Sequence, residues 1–269
     1  MILKTNKADR ETEKIERLFI KDLEKQYTEA YKNIRKEVNE AYAKYSKDGV
    51  LTYTEMTKYD RLVKLMNNID AEVSSLNRGM YSKHLGHAWN VYSTNHSTMG
   101  DIINEGLGIN KSFGIINRDA VIESLLTPLD RGALEDLTYQ TRKRLRDSIT
   151  QSLIKGEGIR PMSKSIANAI DVNANRAVKI ARTETVRVMN KARLDVIQKA
   201  ETETVKLKKR WVATSDSRTR DTHRRLDGKT VGNDEDFKSG LAYPGDPRAD
   251  PSETINCRCA LATEVVIND

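Results

Sequence analysis

The chain has 269 residues and a formal net charge of +7, with 38% hydrophobic, 6% aromatic and 32% charged residues, a balance that favours long, partly exposed helices over a thick central core. No apolar run approaches the roughly 20 residues that span a bilayer, and Met1–Lys7 lacks the apolar stretch of a signal peptide. The only two cysteines lie one residue apart, a spacing unsuited to a disulfide framework. The expectation is therefore a soluble product with reduced thiols, made in the cytoplasm.

Two amphipathic helices are predicted first. Ile15, Leu18, Phe19, Leu23, Tyr27, Ala30, Ile34, Val38, Ala41 and Tyr45 recur every three or four positions over residues 10–46, and Lys47-Asp-Gly49 stops the run. Met56, Tyr59, Leu62, Val63, Met66, Ile69, Val73, Leu76 and Met80 mark a second helix over 53–80, completing a helical hairpin. With so thin a core, these stripes are expected to pack against another protein chain.

Residues 81–117 read as a weaker segment, interrupted by Gly86, Gly100, Gly106, Gly108 and Gly114. His84 and His87 share a helix face there and, lacking a third ligand, read as polar residues on an exposed helix. Asn117 caps a helix of 118–126 that ends at Thr127-Pro128, and a further helix follows over 131–155. Gly156-Glu-Gly158 forms a turn, and Pro161 opens a short helix through Ile170.

The next helix, 174–200, has two unlike faces. Ala177, Val178, Ala181, Val188, Met189, Ala192 and Val196 form a narrow stripe, while Arg176, Lys179, Arg182, Arg187, Lys191 and Arg193 share the opposite half. Together with Arg142, Lys143, Arg144, Arg146, Lys208, Lys209 and Arg210 they belong to a basic block. Residues 142–225 hold 22 basic against 9 acidic side chains, residues 1–141 hold 20 against 21, and residues 226–269 hold 4 against 9. Such a block suits phosphates of nucleic acid; an ordinary solvated face, or a surface for an acidic protein, is the competing reading.

Beyond Ala200 the pattern changes to strands and turns: 204–214 alternates, Leu226-Asp-Gly-Lys-Thr-Val231 reads as a hairpin, 232–254 is loop-like, and Cys257 to Ile267 ends as a strand. The scarce residue types concentrate here. His223, Cys257 and Cys259 are candidate ligands for zinc, with Asp216, Asp221, Asp227 or Glu253 as a fourth. Against this, the spacing is C-x-C rather than C-x-x-C. Two buried thiols with a hydrogen-bonded histidine explain the same residues. Patterns of the zinc deaminases, P-loops and dinucleotide sites are absent. A metal-dependent, nuclease-like enzyme using His223 and nearby carboxylates is the alternative to a structural module locked by its interleaved Asp and Arg residues.

The ordered set Ala181-Arg-Thr-Glu-Thr185, Trp211, Asp216-x-Arg-Thr-Arg220, His223, Leu226-Asp-Gly228, Tyr243-Pro-Gly245 and Ile255-Asn-Cys-Arg-Cys259 resembles the phage Mu F-type minor head proteins, also called phage head morphogenesis proteins. The resemblance covers roughly a third of the chain. It implies a virion component of a tailed phage or prophage, associated with the portal and other capsid proteins and connected with DNA packaging or ejection. It implies no catalytic residues, no membrane and no small-molecule substrate, with double-stranded DNA as a further partner. The fold expected is mainly α: a helical region over 1–173, then a small α+β Mu F-like module over 174–269.

Overall fold

A computed structural model describes the chain except for residues 115, 126, 127, 203, 204, 239 and 267–269. The expected helix end at Leu126-Thr127, the start of the 204–214 strand and the far end, at Ile267, of the last strand lie outside the described residues. The order of elements is β1 (Ile2–Leu3), α1 (Asn6–Tyr45), α2 (Tyr53–Thr57), α3 (Arg61–Leu107), α4 (Arg118–Leu125), α5 (Pro128–Ile154), α6 (Ile159–Ala200), β2 (Lys206–Val212), α7 (Asp221–Arg224), β3 (Thr230–Gly232), α8 (Pro251–Thr254) and β4 (Ala260–Val266). The fold is mainly α with a small C-terminal sheet module, as the patterning predicts.

The helices divide between two compact units. One comprises Ile20–His84 and Leu126–Val178; the other comprises Met1–Phe19, Leu85–Leu125 and Lys179–Asp269.

The first unit is a helical bundle. Asn33 donates to Glu72, Asn68 to Glu37 and Lys83 to Asp22. A step forward along α1 thus matches an equal step back along α3, which is the antiparallel hairpin expected. Arg142 to Ser74 and Arg146 to Asp70 set α5 against α3 in the same antiparallel sense. Leu23, Tyr27, Ile34 and Val38 of α1 and Met66, Ile69, Val73 and Met80 of α3 are buried within this single chain. Most of both stripes is therefore covered within the chain itself, while Leu18, Tyr59 and Val63 stay exposed.

The second unit places one four-stranded antiparallel sheet, ordered β1-β4-β2-β3, beside helical segments. Leu207 and Trp211 of β2, Leu261 and Val265 of β4, Met99 and Ile103 of α3, and Leu194 and Ile197 of α6 share one core. Strand β1 is a finding of the structure. It pairs Ile2 with Glu264 and Leu3 with Thr263, and two residues are too few for any periodicity to announce them.

Two helices are longer than their patterns suggest. The glycines of 81–107 do not interrupt α3. A Cβ at Gly100 would stand 2.8 Å from the Phe113 ring, and one at Gly106 would stand 2.4 Å from Leu3. These glycines permit close packing inside a helix rather than ending it. His84, His87 and His96 of α3 are buried, not exposed, and His87 stacks on Phe19 with its Nε2 2.7 Å from Thr185 Oγ1. Likewise α6 runs unbroken from Ile159 through Ala200. Pro161 falls in its first turn, where its missing N–H has no intrahelical partner to lose.

Candidate metal centre

The motifs after residue 210 are wired to one another by side chain to main chain bonds. Asp227 accepts from the amide of Ala213 at 2.8 Å, while Gly228 N donates to Trp211 O and Trp211 N to Lys229 O, closing β2 onto the turn before β3. Gly228 has φ +74°, a left-handed conformation that an L side chain resists. Asp216 grips Arg258 through both carboxylate oxygens and also accepts from the amide of Arg218 and the hydroxyl of Thr219. These bonds, the guanidinium first, hold its carboxyl well below the usual carboxylate range. Arg220 donates to Ile255 O, and the amide of Asn256 to Thr183 Oγ1 on α6. The interleaved Asp and Arg residues therefore do lock turns, and they aim the Asn256–Cys259 segment at α7.

That aim brings His223, Cys257 and Cys259 together. All three are buried, and one ligand atom from each lies within 4.8 Å of the others. His223 Nδ1 stands 3.6 Å from Cys257 Sγ and 3.4 Å from Cys259 Sγ. In an extended segment residues i and i+2 face the same side, so C-x-C turns both sulfurs toward one histidine. On the other side of the ring, His223 Nε2 lies 3.0 Å from Glu253 Oε2. Thr222 Oγ1 and Lys238 Nζ each donate to Glu253 at 2.9 Å, so the carboxylate is itself held in place. Trp211 and the imidazole meet in a T-shaped arrangement at a centroid distance of 5.1 Å. The proximity of the two thiols pushes the Cys257 thiol up, with burial adding to it, and draws the Cys259 thiol down, with the imidazole adding to that.

The other acids considered as ligands are occupied elsewhere: Asp216 by Arg258, Asp227 by the Ala213 amide, and Asp221 by Arg224 at 2.9 Å. Cys257 also borders a cavity of about 500 Å³ whose wall includes Arg182, Arg218, Arg220 and Arg258.

The basic residues have a different fate. Arg187 and Lys209, expected to meet phosphates, are buried and removed from any such face. Arg187 bonds Glu184, and Lys209 Nζ donates to the carbonyls of Glu235 and Ala242 at 2.6 and 3.0 Å. Arg193, on the same predicted basic half, is wholly buried: it pairs with Asp9 at 2.7 Å and donates to Asn95 Oδ1 and Leu261 O. Arg142, Lys191 and Arg210 are half-buried. Lys143, Arg144, Arg146 and Arg176 are exposed on the helical bundle, and Lys179, Arg182 and Lys208 on the sheet-bearing unit. Arg146, Arg176 and Arg182 face Asp70, Asp136 and Glu16 respectively.

A residue that periodicity could not single out completes the module. Asn190, on α6, is fully buried; its Nδ2 donates to Val186 O, Pro244 O and Cys259 O, and its Oδ1 accepts from Leu261 N at 2.7 Å. A polar residue amid the buried positions of a helix was its one signal.

The model for phage Mu protein F like proteins matches residues 143–262. The minor head protein GP7 of Bacillus phage SPP1 is 31% identical over 250 residues, spanning 90% of this chain and 80% of that protein. The chain belongs to the phage Mu F-like family. It is also similar to the NAD(+)–arginine ADP-ribosyltransferase EFV of Enterococcus faecalis, 24% identical over 94% of this chain and 54% of that protein. The uncharacterized protein YqbB of Bacillus subtilis is 26% identical over 49% of this chain and 44% of its own length. No solved structure matches.

Proposed function

We propose that this chain is a minor head protein of a tailed phage or prophage, acting in head morphogenesis as a structural component. The observation that carries this reading is the similarity to a named minor head protein along nearly the whole chain. The partners are other capsid proteins, and the finer assignment is to the portal and to the packaged double-stranded DNA. Residues 174–269 serve as the Mu F-like module and residues 1–173 as the helical region, a division of role that α6 bridges. Exposed bases such as Lys143, Arg144, Lys179 and Lys208 are the side chains that meet phosphate. No helix among the described residues is long and apolar enough to cross a membrane, which suits a position in the virion head.

The test is location. Purified heads from the producing phage, imaged with this chain tagged, are expected to carry it beside the portal, and co-purification with portal protein is expected from procapsids. Heads that assemble, package and infect normally without the gene would sink the reading. The enzymatic alternative predicts metal-dependent DNA cleavage that His223→Ala abolishes; its appearance would replace the structural assignment.

A further inference from the structure

We propose that His223 Nδ1, Cys257 Sγ and Cys259 Sγ bind a zinc ion that clamps the C-terminal module. Tetrahedral zinc with Zn–S of about 2.3 Å and Zn–N of about 2.0 Å sets the S···N edge at about 3.5 Å. The two edges here are 3.6 and 3.4 Å. Both sulfurs stand at that spacing from the same nitrogen, so one ion can reach all three atoms.

The surroundings carry the features of a built site. Metal-ligating histidines commonly give their second ring nitrogen to a carboxylate, which fixes tautomer and ring orientation. Glu253 Oε2 stands 3.0 Å from that nitrogen, off the line of a hydrogen bond but within reach of one, and is anchored by Thr222 and Lys238. The amide of Cys259 points at Cys257 Sγ from 3.4 Å, a donor suited to a thiolate. Of the three ligands only Cys257 borders the arginine-walled cavity, which leaves the fourth position open on that side. The ion joins α7 to the segment leading into β4, two pieces separated by 34 residues at their nearest ligands. The sheet they flank has strands of only two, three, seven and seven residues, and a metal supplies the cohesion that so small a sheet lacks.

The experiment uses the full, untagged chain purified without chelator. Elemental analysis is expected to find one zinc per chain, and cobalt(II) exchanged into the protein is expected to show tetrahedral ligand-field bands with thiolate-to-cobalt charge transfer. Cys259→Ser is expected to lose the metal. Should that variant fail to fold, chelation of the wild-type protein answers the same question: amide exchange is expected to accelerate in β2 and β4 while α1 and α3 segments 20–45 and 61–84 stay protected. Glu253→Gln is expected to keep the site but weaken zinc binding by about 10- to 100-fold. A wild-type chain without stoichiometric zinc and without cobalt–thiolate absorption overturns the proposal, as does zinc retained when both cysteines are replaced by serine. Neither result bears on whether the chain resides in a phage head, so the two readings fail separately.

Discussion

Arg193 concentrates the energetics of its unit into one side chain. It is wholly buried, yet its guanidinium reaches Asp9 of α1, Asn95 of α3 and the Leu261 carbonyl of β4. A buried charge is tolerable only when paired and hydrogen-bonded, and removing one partner strands the other. Arg193→Ala is expected to cost about 3–5 kcal/mol in chemical denaturation. Arg193→Lys is expected to recover little, because an ammonium cannot serve three directions from one plane. His84 is the second residue whose burial has a measurable consequence. Desolvation lowers its pKa from 6.5 to about 4, so the folded chain holds it neutral where the unfolded chain binds a proton. Its contribution is therefore complete above about pH 6.5 and is lost as pH falls toward 4, on the order of 3 kcal/mol in all. Urea unfolding over that range is expected to show His84→Leu losing less stability with acid than the parent chain; equal slopes would remove His84 as the cause. Neither residue betrays its burial by type: arginine and histidine read as surface unless tertiary contacts enclose them.

At the scale of elements, the informative contrast lies along α6. Its alanine stripe was legible, since Ala177, Ala181 and Ala192 are fully buried. The opposite, basic half was misread after residue 185. From Thr185 to Asn190 every residue is buried, because the sheet and the 243–245 loop cover the face that a two-sided wheel assigns to solvent. Gly245 makes that covering possible. Its φ is +86°, and a Cβ there would stand 3.1 Å from Arg187 Cα and 3.2 Å from Arg187 N. Gly245→Ala is expected to destabilise by more than about 1 kcal/mol, through strain and through main chain that cannot yield. A thermal midpoint unchanged from the parent would show that the loop does not dock so closely. The continuity of α3 follows the same logic, with Gly100 and Gly106 needed by Phe113 and Leu3 rather than by a turn.

For the whole molecule, the question is what remains of the basic block once buried and paired residues are set aside. Lys143 and Arg144 are exposed on α5, and the only acid facing either in an ion pair among the described residues is Asp147, 4.0 Å from Lys143. If the block meets DNA, Lys143→Glu with Arg144→Glu is expected to weaken double-stranded DNA binding and to flatten its salt dependence by about 0.9 in log–log slope per lost phosphate contact. Filter binding across a salt series reads both; an unchanged slope would return these side chains to the solvent. The sequence by itself determined the mainly helical class, the antiparallel hairpin, the turn at Asp227-Gly228 and the family, because each rests on residues close in the chain or on a motif order that folding does not alter. Tertiary structure alone decided which charges are buried, that α3 and α6 run unbroken, and that Met1–Leu3 returns to edge β4. It also decided that Glu253 backs His223, which meets two thiols 34 and 36 residues away. Those outcomes depend on what covers a face, and a periodic pattern records the face without naming its cover.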